Sequence, residues 1–157
     1  MKVLLLMVGK TSEKWLNEGV ESYYKRLNHY LPFDAKVLPD IKNAGKIKPE
    51  ALKQLEGEAI LKVLDKSDRL ILLDEGGKHF SSRDFAGFME KQMLAGTRRL
   101  VFVIGGAWGF SDEVYKHSNS KISLSRMTFS HQMVRLIFAE QLYRAMTILK
   151  NEPYHHD

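Results

Sequence analysis

Residues 100–109 read Leu-Val-Phe-Val-Ile-Gly-Gly-Ala-Trp-Gly, five apolar residues in a row that run into a glycine-rich turn. An apolar run of that length, rich in branched side chains, fits a strand covered on both faces, as parallel strands between helical layers are. Glycines at the carboxyl end of such a strand let a ligand come close to the backbone. Ligands of α/β sheets gather at those ends. The spacing Gly105-Gly106-x-x-Gly109 is not the dinucleotide fingerprint, because the glycines are set differently and follow the fourth apolar run rather than the first. From spacing alone, a ligand site and a plain strand-to-helix turn both stay open.

Outward from this stretch, apolar runs alternate with amphipathic ones. Lys2–Val8 reads as a first strand, Ser12–Tyr30 as a helix that Pro32 ends, and Phe33–Leu38 as a second strand. Asp40–Lys48 reads as a basic, mobile loop, and Pro49–Lys66 as a helix with proline in its first turn. Arg69–Leu73 is expected as a third strand, Glu75-Gly76-Gly77-Lys78 as a turn, and Ser81-x-x-Asp84 as a capping box opening a helix to Leu94. Leu100–Ile104 is the fourth strand. Ser111 caps a short helix, Lys121–Leu124 is a brief fifth strand, and His131–Lys150 is the final helix. Strands separated by helices predict an α/β fold, a mostly parallel sheet flanked by helices in one domain over residues 1–157.

The final helix is apolar nearly all round. At 100° per residue Val134, Ile137, Phe138, Gln141, Ala145 and Ile148 share one face, with Leu136, Tyr143 and Met146 opposite. Such a helix needs cover on two sides. A second subunit and the interior of the monomer are both candidates for that cover.

The 157 residues carry 24 Lys and Arg against 19 Asp and Glu, a formal charge of +5 that favours an anionic partner, nucleic acid first. There is no cysteine, which excludes disulfides, thiolate catalysis and thiolate zinc sites. No apolar run reaches the roughly 20 residues of a membrane span. Met1–Gly9 reads as a buried strand rather than a signal peptide, since Lys10-Thr11-Ser12-Glu13 is no small-residue cleavage site. Gly9-Lys10-Thr11 superficially suggests a phosphate-binding loop, but Leu4 stands where that loop needs its first glycine. Adjacent histidines in the tail Tyr154-His155-His156-Asp157 make a poor metal site, so no metal is expected.

Taken in order, Val101-Phe102-Val103-Ile104-Gly105-Gly106-x-x-Gly109, Leu124-Ser125-Arg126-Met127-Thr128-Phe129, His131, Arg135 and terminal Tyr154-His155 resemble one family over essentially the whole chain. It is the bacterial 23S ribosomal RNA pseudouridine-N3 methyltransferases, the RlmH (YbeA) family of the SPOUT class. The resemblance implies a trefoil knot near the C-terminus, a homodimer formed partly by the last helix, and S-adenosyl-L-methionine as methyl donor. Carried over, the cofactor residues are Leu73, Gly105 and the run Leu124, Ser125, Arg126, Met127, Thr128 and Phe129. Leu73, Leu124 and Met127 are expected to sandwich adenine, and Gly105 to admit the ribose and methionine portion.

The resemblance further implies methylation of a ring nitrogen whose proton must leave. His131 at the start of the last helix is the first candidate base, and Tyr154 with His155, in a tail that folds over the site, the second. Arg135, Arg144 and His156 are the expected RNA contacts, although Glu140–Arg144 is also a good i,i+4 ion pair. Ser130 stands where the family commonly has proline, and His156 where it often has Lys or Arg. The implied substrate is 23S rRNA in the large subunit or whole ribosome, in the cytoplasm. A SPOUT enzyme acting on tRNA and a non-catalytic RNA-binding dimer remain alternatives.

Overall fold

A computed structural model describes residues 1–157. The strands are β1 (Lys2–Val8), β2 (Phe33–Leu38), β3 (Arg69–His79), β4 (Arg99–Ile104) and β5 (Ser120–Ser123). The helices are α1 (Lys14–Leu27), α2 (Pro49–Leu61), α3 (Ser82–Leu94), α4 (Asp112–His117) and α5 (Met133–Leu149), with a 3-10 turn at Ala44–Lys46. The five strands form one sheet in the order β2-β1-β4-β3-β5, and every pairing is parallel.

Both faces of the sheet are covered, which is why the central strands read as continuous apolar runs. In β1 the side chains alternate between two cores: Val3, Leu5 and Met7 pack with Phe102 and the helices α1, α3 and α5, while Leu4, Leu6 and Val8 pack with Val101, Val103, Ile60 of α2 and Val114 of α4. On the first face Phe102 and Phe138 meet at 4.8 Å between ring centroids, which seats α5 on β4.

The ends of elements follow local chemistry. Ser81 and Asp84 form the expected capping box, each side chain accepting the other's backbone N–H, and Ser111 caps α4. Helix α1 stops at Leu27, well before Pro32, because the chain has already tightened through short-range turns at His29–Leu31. Helix α2 ends at Leu61 rather than Lys66, and β5 lies one residue earlier than the sequence pattern suggests.

Two expectations need correction. Glu75–Lys78 is not a free turn: β3 continues to His79, and its pairing with β5 shifts so that Ile122 faces both Leu73 and Lys78. Residues 74–77 thus loop out of the ladder as a bulge, a device that re-aims side chains beside functional sites. Gly77 makes it sterically feasible, since a Cβ there would lie 2.6 Å from the backbone of Ile122.

The second correction concerns α5. Its deeply buried side is Arg135, Phe138, Ala139, Leu142, Ala145 and Met146, so Met146 belongs to the core face. Leu136 lies against α1 beside Gly19, and the Tyr143 ring packs tilted against Tyr23 and edge-on to Tyr30. Much of the two-sided cover is therefore supplied by α1 and the sheet within one chain.

Candidate active site

The bulge of β3 and the segments that leave the carboxyl ends of β4 and β5 enclose a cavity of about 570 Å³. That is the size of a typical small-ligand site. From β3 come Leu73, Asp74 and Glu75; from β4, Ile104 and the turn Gly105–Phe110; from β5, Ile122 to Ser125 and then Met127 to His131; Val134 of α5 closes it.

Each wall is held by its own chemistry. The Gly106–Gly109 turn is closed by Gly109 N–H donating to the Gly106 carbonyl at 3.2 Å, with Gly109 at φ +79°. It holds Trp108 at the rim, 60% exposed. After β5, the Ser123 hydroxyl donates to the Ser125 carbonyl at 2.9 Å, and Ser125 Oγ accepts from Met127 N–H at 2.9 Å. This bend leaves Met127 77% exposed. A thioether so open is available to lie over a ligand.

His131 reaches the cavity from the turn before α5, two residues ahead of the helix. Arg135 fixes that turn: its Nε donates to the His131 carbonyl at 3.2 Å, Nη1 to Thr11 Oγ1 at 3.1 Å and Nη2 to the Val8 carbonyl at 2.7 Å. Gln132 adds two more ties, accepting from Ser12 N–H and donating to the Lys10 carbonyl. The Gly9-Lys10-Thr11 segment is thus a brace for the start of α5. Arg135 has no solvent exposure, so the expectation that it grips RNA is corrected: its guanidinium is occupied inside the protein.

Of the expected cofactor residues, Leu73, Gly105, Leu124, Ser125, Met127, Thr128 and Phe129 line the cavity, while Arg126 is exposed and does not. Gly105 also has a steric reason within the protein to lack a side chain. A Cβ there would meet the ring of Phe110 at 3.0 Å, so its bareness lets the chain fold back on itself. Asp74, Glu75 and Trp108 are among the lining residues that were missed as site residues. The one available signal was a carboxylate directly after an apolar strand.

The tail lies elsewhere. Tyr154 shares a hydrogen bond with the Tyr23 hydroxyl, donates to Glu140 at 3.1 Å, and packs edge-on against Tyr143. Burial, followed by these partners, pushes its phenol well above the ordinary range, so it stays protonated. Arg144 pairs with Glu140, lies over the Tyr154 ring at 4.8 Å, and meets His155 Nδ1 at 3.2 Å. Asp157 pairs with Arg83, and His156 is exposed. No tail residue lines this chain's cavity, so His131 and Tyr154–His155 are not brought together within one chain.

The cavity's polar lining carries two carboxylates, Asp74 and Glu75, and no Lys or Arg. It has no counter-charge for a polyphosphate. An apolar, mildly acidic slot suits a ligand with an aromatic base and a positive charge.

Comparisons with known proteins agree with this geometry. Residues 1–155 match the family model described as "Predicted SPOUT methyltransferase". The chain is 55% identical over 157 residues to a protein of Parabacteroides distasonis named "Ribosomal RNA large subunit methyltransferase H", covering all of both chains. Proteins of the same name from Porphyromonas gingivalis and Christiangramia forsetii are each 54% identical, covering 100% and 99% of both chains respectively. Among solved structures, a probable methyltransferase from Bordetella pertussis superposes with a TM-score of 0.54 at 12% identity, over 92% of this chain and 95% of that one. A probable methylase family protein from Haemophilus influenzae gives 0.52 at 12% identity, over 99% of this chain and 70% of that one. At such identity these two speak for the fold alone.

Proposed function

The chain belongs to the SPOUT methyltransferase family, among its ribosomal RNA large subunit methyltransferase H members, and from that premise we propose that it methylates N3 of a pseudouridine in 23S rRNA, using S-adenosyl-L-methionine. The whole chain, residues 1–157, acts as one such domain, knotted near its C-terminus, working as a cytoplasmic homodimer on the large subunit or ribosome. The observation that carries this reading is the cavity at the β3 bulge and the ends of β4 and β5, apolar, acidic and free of Lys and Arg.

S-adenosyl-L-methionine, when bound, supplies a methyl carbon on a positively charged sulfur. Leu73, Leu124 and Met127 hold the adenine, with Ser125, Thr128 and Phe129 completing the slot. The protein's main contribution is alignment, because an in-line displacement gains most from holding nitrogen, carbon and sulfur on one axis. His131 accepts the N3 proton at the cavity wall, and the Arg135 clamp keeps its backbone in place. Tyr154 and His155 of the partner copy complete the site, which accounts for their distance from the cavity in a single chain. Lys42, Lys46 and Lys48 in the exposed loop before α2, together with His156 and Arg144, meet the RNA phosphates.

The decisive test is mass spectrometry of large-subunit rRNA from cells with and without the gene. The methylated pseudouridine is expected to vanish on deletion and return on complementation; its persistence refutes the assignment.

A further inference from the structure

A methyl sulfonium is charged before transfer and neutral after it, so an anion fixed beside the sulfur tells donor from product. We infer that Asp74 is this anion: a specificity-determining residue that holds the charged donor and relaxes the pocket's grip on the neutral thioether, with Tyr115 as the positioning residue that aims it. The inference rests on the donor assigned above and adds the group that discriminates charge.

Asp74 is the first residue of the bulge in β3, and it lines the cavity directly after Leu73. Both of its oxygens are anchored. Oδ1 accepts from Gly76 N–H at 2.8 Å, and Oδ2 accepts from the Tyr115 hydroxyl at 2.5 Å. The Tyr115 ring is itself fixed, edge-on to Phe110 at 5.8 Å and beneath the Lys121 ammonium at 5.3 Å. Burial, followed by the bond to Asp74, pushes the Tyr115 phenol up to about 12, so it remains a donor at neutral pH. The Lys121 ammonium lies close by, over the Tyr115 ring and near Gly76, but it forms no ion pair with Asp74 and does not line the cavity, so no Lys or Arg side chain faces a ligand there. Each carboxylate oxygen retains a second lone pair for a ligand. Glu75, the other lining acid, is exposed and has no such anchors. A carboxylate held rigidly in an apolar pocket acts through its field without reorganising, which is how a site reads charge.

Calorimetric titration of the full chain with S-adenosylmethionine and with S-adenosylhomocysteine reads the discrimination directly, without turnover. For Asp74→Asn the preference for donor over product is expected to fall about tenfold, equivalent to about 1.4 kcal/mol, with product affinity nearly unchanged. Tyr115→Phe, which keeps the ring packing, should move the ratio the same way by roughly threefold, because a loosened carboxylate screens and reorients. Thermal melts establish that each variant is folded, and Tyr115→Phe serves alone if Asp74→Asn is not. A variant ratio equal to the wild type's, whether both ligands weaken together or neither changes, overturns the role of Asp74 and leaves the donor assignment standing. A wild-type protein that binds neither ligand overturns both.

Discussion

Arg135 is the largest fully buried side chain in the protein, and it bonds to two backbone carbonyls and a threonine hydroxyl rather than to an acid. Burial pushes its pKa down, with nearby Tyr24 and Asp40 opposing that shift, and the group remains a donor throughout. Arg135→Met keeps the bulk but leaves those acceptors unmade, at about 1–3 kcal/mol for each one left dry. A loss of about 2–4 kcal/mol in urea unfolding is expected, together with weakened methyl transfer as the His131 turn loosens. Arg135→Lys should recover only part, because an ammonium lacks the fork that spans separated acceptors. Full stability in Arg135→Met would contradict the clamp. Gly77 poses the opposite problem, one of space. Gly77→Ala places a methyl 2.6 Å from the rigid backbone of Ile122. It should lower stability by about 2 kcal/mol or more, as overpacked sites do, visible as a depressed thermal midpoint.

Between elements, the turn entering β3 is tied to the start of β4 by Arg99, whose Nε donates to Asp68 Oδ1 at 2.7 Å and whose Nη2 reaches the Val63 carbonyl at 3.2 Å. Burial pushes the Asp68 carboxyl up, but Arg99 and the Asp65 N–H outweigh it and hold the group below the usual aspartate range. A carboxyl whose pKa is depressed in the folded state contributes its full stability above its unfolded value, near 3.9, and loses it as pH falls through the folded one. Asp68→Asn is therefore expected to cost about 1–3 kcal/mol at pH 7. The gap between wild type and variant should close as pH drops below about 4. Denaturant titrations across that range check it, and a gap independent of pH would place the effect elsewhere. This pair lies at the end of the strands opposite the cavity, so donor binding should survive the change. Helix α5 has the contrary role, joining packing to chemistry: its inner face seats on β4 through Phe138, and the turn just before it carries His131 to the cavity.

For the whole molecule, His131 in the cavity and Tyr154–His155 against α1 and α5 occupy separate parts of one chain. If a second copy supplies the tail, two inactive variants should repair one another. A mixture of His131→Ala and His155→Ala, dissociated and reassembled, is expected to regain about a quarter of wild-type activity, since half the dimers are mixed and each holds one intact site. No recovery would mean that both residues serve within one subunit, and a His155→Ala variant that is active alone would mean that His155 takes no part. Sedimentation at working concentration gives the companion measurement, with a dimer expected. Half-exposed Met133 and Ile137 on the outer side of α5, with Trp108 and Met127 at the cavity rim, are the apolar surface such a partner would cover.

The parallel α/β sheet, its two-sided cores and the glycine turn after β4 were legible from the chain itself, because apolar runs, helical periodicity and capping residues are local signals. Most of the expected cofactor residues do line the cavity, and those were legible through their order along the chain. The sequence could not show that Glu75–Lys78 continues a strand as a bulge, that Gly105 makes room for Phe110, or that Arg135 turns inward. Each of these depends on a partner distant in sequence: Ile122 against Gly77, Val8 and Thr11 against Arg135, Tyr115 against Asp74. Periodicity records which side of an element is apolar, but the neighbour that meets a given side chain is chosen only when the elements pack. That choice turned a polar residue of the last helix into a core clamp and a strand-end aspartate into the charged wall of the site.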